Sequence, residues 1–242
     1  MSVIYVAWQD PKNRRWTPVG RLSKQDAEFQ FVYTRGAEQE PSFMPFGRMQ
    51  NLHTIYKSDE LFPLFANRVL SKSRPEYKLY LQWLGLDEQT YDEMEELSRT
   101  AGLRATDSLE LFPCPQATPD KKFEMHFFSR GLRHMHTENQ ERAQTLKKGE
   151  RLYLMQDLQN EYDAMALLLR TGDPVSLVGY APRYYSAELT KLIQENGTDQ
   201  VKINVAQVNP DAPLQYRVLC QLKTPWPPNF MPCSQDSYQA LA

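Results

Sequence analysis

Apolar and polar residues alternate in short runs in two stretches of the chain, with a stretch of helical spacing between them. Val3–Trp8, Val19–Leu22 and Phe29–Tyr33 are rich in β-branched and aromatic residues and predict three strands. Asp10-Pro11-Lys12-Asn13 supplies a turn between the first two. From Ser58 the period lengthens. Pro63 fits the first turn of a helix behind a cap at Ser58 or Asp59. Tyr77, Tyr80, Leu81 and Leu84, then Tyr91, Met94 and Leu97, follow three-and-four spacing, and Gly102 closes the last helix. Strands followed by helices predict an α+β domain over residues 1–112.

After residue 122 the pattern returns to strands. Phe123–Phe128, Arg151–Gln156, Ala164–Arg170, Val175–Tyr180, Val201–Val208 and Gln215–Leu222 are separated by turn residues. One helix, Ala187–Glu195, is capped by Ser186 and ends at Asn196-Gly197. Six short strands and one helix predict a small, mainly β, closed or nearly closed barrel over residues 123–224. Three prolines between Pro113 and Lys122 make residues 113–122 the linker. The tail from Pro225 to residue 242 is too proline-rich for regular structure and reads as draped or mobile.

Composition narrows the class. At 41% apolar and 24% charged the 242 residues are ordinary globular material. The longest apolar run, Ala164 to Leu169, is far short of the ~20 residues of a membrane helix, so no membrane partner is expected. The opening residues read as a first strand and not a signal peptide. Three widely spaced cysteines, Cys114, Cys220 and Cys233, suit a reducing compartment, and a cytoplasmic location is expected. The net charge is −2, but it is segregated. Residues 1–120 carry 14 basic and 17 acidic side chains, whereas residues 121–151 carry 8 basic and 4 acidic. The basic excess begins where the second domain begins.

No phosphate-binding loop, dinucleotide fingerprint, zinc-protease helix, nucleophile elbow or Cys-x-x-Cys pair is present. The chain is therefore read as a binding protein and not an enzyme, with no cofactor; a nuclease, needing a carboxylate cluster, ranks last. His126, His134 and His136 fall close together, and His134 and His136 would face one side of an extended segment. They read better as histidines on a basic, ligand-facing strand than as a metal site. Gln159-Asn160-Glu161-Tyr162-Asp163 reads first as a polar loop whose Asn and Asp bond their own backbone. Its second reading is a recognition loop, with Tyr162 as a stacking face and Asp163 as an acceptor for a sugar hydroxyl.

Four motifs stand in order around that loop: Gly131-Leu132-Arg133, Gly149-Glu150-x-Leu152, Asn160-x-Tyr162-Asp163-x-x-Ala166 and Val178-Gly179-Tyr180-x-Pro182-Arg183. Together they resemble the HIRAN family over about residues 123–224. The resemblance implies a six-stranded barrel of oligonucleotide-binding type that captures the 3′ end of single-stranded DNA. On that reading Asp163 accepts the terminal hydroxyl, Tyr162 walls the base pocket, Asn160 helps hold the end and Arg133 faces phosphate. Lys147, Lys148 and Arg183 are phosphate candidates on charge alone. Where familiar eukaryotic members carry two tyrosines after the arginine, this chain has His134 and Met135. His134 can stack on a base and Met135 does so poorly, which bears on end selectivity more than on binding.

Residues 1–112 also resemble the N-terminal subdomain of HipA-type toxin kinases, through Val19-Gly20-Arg21-Leu22, Phe29-x-Phe31-x-Tyr33 and Leu61–Arg68. That resemblance implies a bacterial origin and a docking lobe for a protein partner, without the kinase core. The competing account of the whole chain is a protein-interaction component of a toxin–antitoxin or defence system that binds no DNA.

Overall fold

Alternation along Glu28–Tyr33 sets Phe29, Phe31 and Tyr33 on one face, and that face anchors the first of two cores. The computed structural model describes residues 2–242, with Met1 outside them. Its contacts divide into two units, residues up to 78 with 87–114 and 231–242, and residues 79–86 with 115–230.

The first unit contains β1 (Ser2–Gln9), β2 (Trp16–Gln25), β3 (Glu28–Tyr33), α1 (Arg35–Gln39), β4 (Tyr56–Ser58), α2 (Pro63–Ala66), the start of α3 (Tyr77–Leu84), α4 (Glu93–Thr100) and β5 (Leu109–Pro113). The antiparallel sheet runs β4-β3-β2-β1-β5, so the three predicted strands gain a partner at each edge. Ile4, Val6, Leu22, Phe31, Tyr33, Phe65, Leu97 and Leu111 fill the core. Within it the Tyr33 hydroxyl donates to the Met49 carbonyl at 2.7 Å and accepts from the Phe46 amide at 2.7 Å. Burial pushes its pKa up to about 12.

Helix ends differ from the pattern. α2 starts at Pro63 as predicted, but Phe62 precedes it and no side chain caps it, so neither Ser58 nor Asp59 serves. The helix predicted to close at Gly102 ends at Thr100, and Ala101 takes the left-handed turn at φ 59° with Gly102 following. The tail is draped but pinned: Arg35 donates its amide to the Gln239 carbonyl at 2.8 Å, and Leu241 donates to the Tyr33 carbonyl at 3.0 Å.

The second unit contains β6 (Lys122–Phe128), α5 (Thr137–Gln144), β7 (Arg151–Gln156), β8 (Leu167–Arg170), β9 (Leu177–Tyr180), α6 (Ser186–Asn196), β10 (Lys202–Val208) and β11 (Val218–Pro225). All six predicted strands are present, in the antiparallel order β6-β11-β10-β7-β8-β9. Four ends are trimmed: residues 164–166, 175–176, 201 and 215–217 lie outside the strands, with 215–216 in a 3-10 turn. The single predicted helix is joined by α5, which sequence pattern did not indicate.

This sheet is a curled half-barrel. Irregular register at Val205/Gln207 and at Leu168/Arg170 bends its strands. The two edges meet where Arg130, just past β6, pairs with Tyr180 at the end of β9 through reciprocal bonds of 2.9 and 2.8 Å. Gly179 permits that closure. Its φ is 104°, and a Cβ there would lie 2.1 Å from Ser129 Oγ and 2.5 Å from the Arg130 carbonyl. Inside are Phe123, Phe127, Leu152, Leu169, Val178, Ile203, Val205 and Leu222, with Leu189 and Leu192 of α6 also buried. Among the described residues no helix is long and apolar enough to cross a membrane.

Candidate nucleic-acid interface

The loop joining β7 to β8 is built almost wholly from its own polar groups. At its base the Asp157 amide donates to the Ala166 carbonyl at 2.9 Å. Inside it Asn160 Oδ1 accepts the amides of Tyr162 and Asp163 at 3.0 and 2.9 Å, and Asn160 Nδ2 donates to Asp157 Oδ2 at 3.1 Å. Asp163 Oδ1 accepts the Met165 amide at 2.9 Å. These are the local Asn and Asp bonds expected of such a loop. They leave the Tyr162 ring 66% exposed at its crown.

The other oxygen of Asp163 is differently placed. Oδ2 is met by the Ser186 hydroxyl at 3.3 Å and by Arg183 Nε at 3.6 Å, both longer than an optimal bond. The carboxylate is 18% exposed and Arg183 31%. Ser186 is the first residue of α6 and does not cap it; its hydroxyl turns to the loop instead.

A third segment enters through Tyr180. Gly131 adopts the left-handed conformation with its Cα against the Tyr180 ring, where a Cβ would stand 3.2 Å from Cδ2. It opens the 3-10 turn Leu132–His134, in which Leu132 is buried and Arg133 and His134 are exposed. Arg133 Nε donates to His134 Nε2 at 3.0 Å. The Tyr180 hydroxyl donates to Asp157 Oδ2 at 2.8 Å. The bonds from Tyr180 and Asn160 hold the Asp157 carboxyl below the usual range, while burial, followed by the bond to Asp157, raises the Tyr180 hydroxyl.

Asn160, Tyr162, Asp163 and Arg183 therefore lie together, and the turn carrying Arg133 and His134 adjoins them through Gly131 and Tyr180. Lys147 and Lys148 do not. They sit in the turn before β7, and six residues at ~3.3 Å each put that turn about 20 Å from the loop at the strand's far end. Lys147 donates its amide to Glu150, which also pairs with Arg142. His134 and His136 do not lie on an extended strand: one ends the 3-10 turn and the other precedes α5. Among the described residues no group of three or more metal-ligating side chains is present. Asp157, Tyr180 and Ser186 are members of this arrangement that the sequence reading did not assign to it.

A family match falls on the same segment. Residues 122–226 match the HIRAN domain. The matched span begins with β6 and ends just past β11, so it coincides with the six-stranded sheet. No curated protein matches the chain. A crystal structure of a protein from Lactobacillus plantarum is 16% identical, covers 43% of this chain and 96% of its own, and has a TM-score of 0.32.

Proposed function

We propose that the HIRAN-matching domain binds single-stranded DNA and holds its 3′ end at Asp163. The observation that carries this reading is the Asp163 side chain, 18% exposed, whose Oδ2 is met at 3.3 Å by the Ser186 hydroxyl and at 3.6 Å by Arg183 Nε. A terminal hydroxyl donating to it forms a charge-assisted bond. A continuing phosphodiester puts like charges together, and two unit charges ~4 Å apart at an effective dielectric of ~20 repel by about 4 kcal/mol. Arg183, beside the carboxylate, and exposed Arg133 take the backbone phosphates in this reading. Tyr162 offers its ring to the terminal base, and Asn160 fixes both by holding their amides.

His134, held by a bond from Arg133 Nε, and Met135 stand in place of a paired-tyrosine wall; they make a thinner base pocket and favour binding over stringent end selection. The domain acts as a binding module in this account and no bond-breaking step is assigned to it. A partner-docking role for the first unit rests on its HipA-type resemblance.

Fluorescence anisotropy with a 5′-labelled single strand at rising salt tests the reading. It predicts binding that weakens linearly in log–log salt plots. Absence of binding at low salt contradicts it and favours the protein-interaction account.

A further inference from the structure

The outer face of β7 and β8 carries a second, unassigned set of groups. Tyr153 and Met155 alternate with inward-facing Leu152 and Leu154, and remain 41% and 40% exposed. Across the strand pair Tyr153 stands opposite Arg170, and Met155 opposite Leu168, which in turn faces Tyr180 on β9. The Arg170 guanidinium lies 4.9 Å from the Tyr153 ring centroid and that of Arg151 lies 5.6 Å from it. Each arginine spends one N–H on a backbone carbonyl, Thr171 for Arg170 and Val201 for Arg151, which orients the fork and leaves its other donors. None of the residues of β7, β8 or β9 is acidic.

We propose that Tyr153, with Arg151 and Arg170, is a second nucleotide-binding position for single-stranded DNA, upstream of the strand end. The inference rests on the reading of this domain as a single-strand binder and adds a path for the strand's body. A partly exposed ring with two guanidinia over it forms a cationic planar stack that suits a flat base joined to phosphates, and such stacking tolerates any base. Backbone pairing links this face to the end site: Met155 pairs with Leu168, which is buried, Leu168 pairs with Tyr180, and Tyr180 bonds Asp157 at the root of the β7–β8 loop. Four residues at ~3.3 Å put Tyr153 about 13 Å from Asp157, so a base stacked there belongs to a nucleotide other than the terminal one.

The test uses the full chain and two 5′-labelled strands with the same 3′ end, a dinucleotide and one of about ten nucleotides, within the site size of such barrels. Wild type is expected to bind the longer strand more tightly. Tyr153→Ala should lose about tenfold on the longer strand and nothing on the dinucleotide, and Tyr153→Trp should retain the gain. Arg151→Gln, read independently of the ring, should reduce the salt slope on the longer strand by about one and leave the dinucleotide slope unchanged. Equal affinity of wild type for both lengths, or no effect of these variants on the longer strand, overturns this proposal while leaving the end site standing. Failure of wild type to bind either strand at low salt overturns both.

Discussion

The Tyr180 hydroxyl and the Asp157 carboxylate, 2.8 Å apart, join the last residue of β9 to the residue that opens the β7–β8 loop. Asn160 bonds the same oxygen, so one carboxylate organises both the loop and its attachment to the sheet. Because these bonds hold the folded Asp157 carboxyl below its unfolded range near ~3.9, its contribution is complete above that range. It is lost as pH falls through the folded value. Urea midpoints measured from neutral to acid pH should therefore decline at the acid end, and Asp157→Asn should flatten that decline while lowering stability at neutral pH.

Asn160 should matter through its backbone acceptor and not through direct contact alone. Asn160→Ala frees the amides of Tyr162 and Asp163. Hydrogen exchange at those two amides should accelerate, and affinity for a DNA 3′ end should fall, with the melting temperature changed by only a few degrees. An unchanged exchange rate contradicts this role.

Two glycines with positive φ separate strain from collision. Gly149 has φ 86° and open space where an added methyl would stand, so Gly149→Ala should cost only the ~1–2 kcal/mol of a left-handed L-residue. Gly179→Ala adds contact with Ser129 Oγ and the Arg130 carbonyl, where the sheet's edges meet. It should cost about 4 kcal/mol or more, or prevent folding, as read from chemical denaturation.

Much of this domain is legible in the sequence because its strands carry local signals. Arg151–Gln156 is a short apolar run, Leu-Tyr-Leu-Met, bounded by polar residues, and the strand occupies those residues. α5 escapes because Ala143 is its one buried residue, so Thr137–Gln144 has no apolar stripe to reveal a helix. Ala164 to Ala166 extend an apolar run, yet the Asp163–Ala166 turn bond keeps them out of β8. Ser186 has the chemistry of a cap but meets Asp163 instead, a contact between distant residues that local pattern does not encode. Asp157 and Tyr180 are hidden for the same reason: each looks ordinary until the sheet curls and brings them together.

Lys147 and Lys148, at the other end of β7, provide a control for charge without end contact. Lys147→Ala should weaken single strands with any 3′ terminus alike and lower the salt slope by about one. A selective loss for hydroxyl-ended strands would place Lys147 in the end site, against the strand geometry.

The central claim is that Asp163 reads a free 3′ hydroxyl. Anisotropy titrations with two oligonucleotides of one sequence, ending in 3′ hydroxyl or 3′ phosphate, test it most directly when run on wild type and on Asp163→Ala. The account predicts tighter binding of the hydroxyl end by wild type, and equal binding of both ends by the variant. Equal affinity of wild type for the two ends, or a preference that survives in Asp163→Ala, would contradict it.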